Sequence, residues 1–152
     1  MEIRTFGDLI DWTRALHGHL AYCMKQGASH QKGERAKYLL EYLSEHEAQL
    51  EYIVSEFEHQ AAGRVLSTRL YEFIAHHPLK PGKSACEPYG SLSFDEICRL
   101  VFDFHDQVID LYKGLLRKAE IREAADLVQQ LLDMEEHEAM RLARQVGSME
   151  DL

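Results

Sequence analysis

Four stretches of the chain carry apolar residues every three to four positions with polar residues between them, the spacing of an amphipathic helix. Phe6, Leu9, Thr13, Leu16, His17, Leu20 and Met24 define the first, predicted over about 6–26 with Gly27 as its stop. Leu39, Leu43, His46, Glu47, Leu50, Val54 and Phe57 define the second, over about 32–62, ending at Gly63. The third begins after Ser93, where Glu96 completes a capping box, and runs to about Lys118. The fourth covers about 121–146 and ends at Gly147. No alternating pattern predicts a strand. The short loop between the first two helices makes them antiparallel neighbours. Residues 63–92 hold all three prolines and one short apolar piece, Val65 to Ile74. A connection of that length can traverse a bundle from end to end, which sets the second and third helices parallel. The predicted fold class is therefore all-α: a single domain over 1–152, built as a four-helix bundle of two antiparallel hairpins.

The apolar faces are interrupted at matching depths. On a helical wheel His17 lies within the stripe of the first helix and His105 within that of the third, between Phe104 and Val108. Glu47 falls about 40° from Leu43 on the second helix, with His46 about 60° away on the other side. On the fourth, Glu135 and Glu138 lie about 40° and 20° from Leu131, while Glu136 and His137 point away. The positions repeat, since 105 − 17 and 135 − 47 are both 88. Two His and three Glu thus converge on one buried layer. A lone core histidine is usually satisfied by a neighbour. Three buried carboxylates, however, need more positive charge than two imidazoles readily give, which points to a bound cation. Mixed imidazole and carboxylate donors suit iron, manganese or zinc better than magnesium or calcium.

Composition narrows the partners. With 152 residues and 45% apolar content there is material for one substantial core. A net charge of −9 disfavours nucleic acid and anionic membrane surfaces. Cys23, Cys86 and Cys98 form no C-x-x-C pair and are odd in number, so neither a disulfide framework nor a four-thiolate iron site is expected, and a reducing cytoplasm fits. The first residues carry acidic side chains and no apolar leader, and no window is long enough to span a bilayer.

The helix order, the long crossover and these residues together resemble the ferritin-like superfamily of carboxylate-bridged dimetal proteins, most of all its rubrerythrin-like branch. That family places a Glu on the first and third helices and a Glu-x-x-His on the second and fourth. Glu47 and Glu135 match the bridging Glu of the two motifs. His17 and His105 stand where terminal Glu ligands are usual, and Leu50 and Glu138 replace the two motif His. The resemblance implies a core metal site of His17, Glu47, His105, Glu135 and Glu138, with His46 as a substitute ligand or inner hydrogen-bond partner. Iron is the expected metal, manganese or zinc the alternatives, and oxygen or peroxide the expected oxidant. It also implies a homodimer, for which Tyr38, Tyr42 and Tyr52 with Trp12 and Tyr22 offer an apolar strip. A metal-free bundle of the same ancestry, acting as a dimeric binding or structural protein, is the competing expectation. In that case a buried Glu135 lacks a cation, and Glu135→Leu should stabilise the fold.

Two other patterns carry less. His105 and Asp110 fit the H-x-x-x-x-D spacing of hemerythrin, but Asp110 lies on the opposite side of its helix. Gly82-Lys83-Ser84 lacks the glycine and the preceding strand of a phosphate loop.

Overall fold

The computed structural model describes residues 3–70, 89–118 and 122–150, and every regular element among them is helical. These are α1 (Phe6–His30), α2 (Glu34–Gln60), the single turn α3 (Gly63–Leu66), α4 (Phe94–Lys118) and α5 (Arg122–Glu150), with a 3-10 turn at Tyr89–Ser91 leading into α4. The all-α expectation holds. No helix among the described residues is long and apolar enough to cross a membrane.

Local chemistry fixes the ends. Thr5 caps α1: its side chain accepts from Asp8 N at 3.1 Å, while the Asp8 carboxylate accepts from Thr5 N at 3.0 Å. Ser93 and Glu96 form the same reciprocal pair, each bond 3.2 Å long. At two glycines the chain departs from expectation. α1 runs through Gly27 to His30, because Gly27 is a close-packing position and not a stop: a Cβ there would meet Tyr89 Cβ at 2.5 Å. Gln31 Nε2 reinforces that contact by donating to the carbonyls of Tyr89 and Leu92, at 3.0 Å each. α5 continues past Gly147 to Glu150, drawn on by the burial of Met149 in the core.

Two apolar clusters fill the interior. One takes Leu20 and Met24 from α1, Leu39 and Leu43 from α2, Ile97 and Val101 from α4, and Leu142 and Val146 from α5. The other takes Phe6 and Ile10, Val54, Val108 and Tyr112, and Val128 and Leu131 from the same four helices, closed by Val65 of α3. Each such side chain contributes about 1.5–3 kcal/mol by leaving water. The first cluster draws on the C-terminal halves of α1 and α5 but the N-terminal halves of α2 and α4. Each hairpin is therefore antiparallel, and α2 and α4 run the same way, as a long connection requires. Most of that connection, with the three prolines, His76, His77 and Gly82 to Ser84, lies outside the described residues. Its described start pairs back on the N-terminus, Phe6 N donating to Thr68 O at 2.8 Å and Leu70 N to Arg4 O at 2.9 Å.

Cys23 is buried in the first cluster and disulfide-bonded. This departs from the expectation of reduced cysteines and removes the cysteine-based argument for a reducing compartment.

Candidate metal centre

Between the two apolar clusters lies a polar layer of His17 from α1, Glu47 from α2, His105 from α4 and Glu135 from α5, none more than 2% exposed. Each sits one or two helical turns from core leucines, valines or phenylalanines of its own helix, so the packing that forms the bundle also carries these groups out of water. Burial on this scale is costly unless every polar atom finds a partner.

The partners are one another. His17 Nδ1 donates to Glu47 Oε2 at 2.6 Å and its Nε2 to Glu135 Oε1 at 2.9 Å. His105 Nε2 donates to the other oxygen of Glu47, Oε1, at 2.5 Å. A carboxylate only accepts, so His17, which faces one at each ring nitrogen, is an imidazolium. Burial alone would lower its pKa, but the charges of Glu135 and Glu47 outweigh burial and hold it up to about 10. Burial likewise pushes Glu47 up, and His105 and His17 overcome it, holding the carboxyl well below the ordinary range. The expectation that these five groups could not satisfy one another is thus corrected at four of them, His17, Glu47, His105 and Glu135. His17 is also the positive partner that Glu135 was expected to lack.

His46 and Glu138 stand to one side. His46 is buried with its ring stacked on Tyr42 at 6.2 Å and 6.0 Å from the ring of His105. Its Nδ1 is 3.9 Å from Glu138 Oε2, beyond a hydrogen bond, and its Nε2 is buried without a partner among the described residues. His46 is therefore not the inner hydrogen-bond partner expected. Burial, first of all, lowers its pKa and keeps the imidazole neutral. Leu50 is buried where the Glu-x-x-His motif would put a ligand, and Asp110 is exposed. Glu136 is half-buried rather than turned fully to water.

Sequence reasoning missed the bond that braces the layer. Tyr112 Oη, fully buried, donates to Thr13 Oγ1 at 3.0 Å, and Thr13 donates on to the Ile10 carbonyl at 3.0 Å. A threonine inside an apolar stripe was the available signal. Burial, then the nearby Glu135 charge, raises the Tyr112 pKa, so the phenol stays protonated.

The donor set fits a transition metal. His17, Glu47 and His105 each present a ligand atom, all within 4.8 Å of one another. The nitrogen-to-oxygen separations nevertheless belong to hydrogen bonds, since two ligands of one tetrahedral zinc, each at about 2.0–2.2 Å, stand about 3.4 Å apart. The described arrangement is the proton-bridged form of this set, in which protons hold the places a cation would take. In comparisons with known proteins, no family model, curated protein or solved structure matches the chain.

Proposed function

We propose that this chain is a ferritin-like metal-binding protein, with iron the foremost candidate and manganese or zinc the alternatives, held at the layer of His17, Glu47, His105 and Glu135. The observation that carries the reading is the convergence of two imidazoles on the two oxygens of one fully buried carboxylate, Glu47. The parallel course of α2 and α4 and the matched spacing of the His and Glu pairs support the ferritin-like assignment. Glu47 would be the shared ligand, with His17 and His105 on either side of it. Glu135, on the far nitrogen of His17, would orient that ring, as carboxylates commonly do for metal-bound imidazoles. The apolar clusters above and below exclude bulk water, which strengthens every electrostatic contact within the layer. A bound iron would supply one-electron chemistry towards oxygen or peroxide.

Tag-free protein purified without chelator should contain metal by elemental analysis. Glu47→Ala should abolish it, and Glu45→Ala, exposed two residues away, should retain it. Equal metal in both variants would place the site elsewhere. One observation favours a second reading, a metal-free bundle used for binding or structure: the closed set of hydrogen bonds satisfies His17 and Glu47 with no cation. Wild-type protein without metal would select it. Under either reading a homodimer is inferred through the α1–α2 hairpin, where Tyr22, Tyr38 and Tyr52 are exposed, while Tyr42 and Trp12 are half-buried. Sedimentation at high micromolar concentration should show a dimer.

A further inference from the structure

A cation bound in the layer must cross the bundle wall, and a bare charge cannot pass between apolar side chains without ligands at each step. One line of suitable groups leads outwards. Side-chain exposure rises from 0% at Glu47 and 2% at His105, through 3% at His46 and 13% at Glu138, to 62% at Arg141. Consecutive members are close: the rings of His105 and His46 are 6.0 Å apart, and Glu138 Oε2 is 3.9 Å from both His46 Nδ1 and Arg141 Nη1. His105 Nε2 in turn donates to Glu47 Oε1 at 2.5 Å, so the line closes on the central carboxylate. The buried Nε2 of His46 has no partner among the described residues, which a purely structural histidine would be expected to have. Arg141 is mostly exposed and its contact with Glu138 is long, so the guanidinium is a weak competitor that a divalent ion can displace.

We propose that His46 and Glu138 form a relay station through which a divalent transition-metal cation passes between solvent and the buried layer along the α2–α5 seam, with Arg141 as the competing cation at its outer end. The proposal rests on the metal-binding reading above. It assigns these two residues to the route and not to the resident ligand set.

The test is kinetic. Tag-free protein is loaded with Co²⁺, followed by its visible absorption, and emptied with excess EDTA. Equilibrium affinity is measured separately by chelator competition. A change in a barrier moves both directions equally, so His46→Leu and Glu138→Gln should each slow uptake and extraction together by about tenfold or more, with affinity unchanged. Arg141→Ala should speed both. Glu138→Gln keeps the test available if His46→Leu does not fold. Unchanged rates in the variants would overturn the route, as would faster extraction with weakened affinity, which would make the two residues ligands of the resident ion. A wild type that takes up no Co²⁺ at all would overturn the metal reading itself, a result distinct from a wild type and variants that load equally fast.

Discussion

Glu135 shows how much a single contact changes an argument. Considered alone, a buried carboxylate is a cost that Leu should relieve; beside the Nε2–H of His17 it is half of a buried ion pair. Removing Glu135 leaves Glu47 to offset the His17 charge but strips the buried Nε2–H of its acceptor, which costs about 1–3 kcal/mol. Glu135→Leu in metal-free protein is therefore expected to lower stability by that order, measured by urea unfolding, and a rise would show that the bond to His17 does not offset the cost of burying the carboxylate. A second carboxyl behaves oppositely. Burial, then the neighbouring Asp11 carboxyl, raises Glu58 from 4.5 to about 7, so the fold prefers its protonated form. That preference stabilises fully below about pH 4.5 and is lost as pH rises through about 7. Glu58→Gln stays neutral throughout, so its melting temperature should match wild type near pH 4, exceed it increasingly up to about pH 7 and level off above that. A constant difference across that range would remove the shift as the cause.

At the scale of the elements, the amphipathic period and the capping box at Ser93 were enough to place four long helices within a few residues of their ends. The two hairpins and the parallel course of α2 and α4 followed from loop length alone. Glycine was where this reasoning failed, because the sequence does not distinguish a glycine that ends a helix from one that admits a neighbour. Gly27 lies against Tyr89, 62 residues further along the chain, and that contact exists only in the folded molecule. Gly27→Ala should accordingly cost about 1–3 kcal/mol through overpacking. Gly147→Ala, with nothing within 4 Å of its Cβ, should instead stabilise α5 by up to about 1 kcal/mol. Chemical denaturation of the two variants side by side distinguishes these roles, and a loss at both would mean that Gly147 has a packing role as well. The candidate site was legible in part for the same reason. Periodicity identified which polar residues face inward, but not which would meet: His17 reaches both carboxylates, whereas His46, also on the inner side of its helix, reaches none within hydrogen-bond distance.

Across the whole molecule, the layer sets opposing limits on pH. Glu47, with its lowered pKa, contributes stability above the ordinary carboxylate range of about 4.5 that is lost as pH falls. His17, raised from 6.5 to about 10, contributes stability that is complete below about 6.5 and is lost as pH rises through about 10. Metal-free protein should therefore be most stable between these windows and weaken in acid and in strong alkali. A cation that uses His17 as a ligand must first expel its proton, because the two compete for the same nitrogen. Throughout the neutral range that proton is almost fully bound, so each ion taken up should release about one, and apparent affinity should climb about tenfold per pH unit from about 6.5 to 8.5. Chelator competition at several pH values measures the slope, and calorimetry in two buffers of different ionisation enthalpy counts the protons. If affinity stayed flat with pH and no proton appeared, the ion would not be displacing the Nδ1 proton that joins His17 to Glu47, and its site would have to be sought outside the layer.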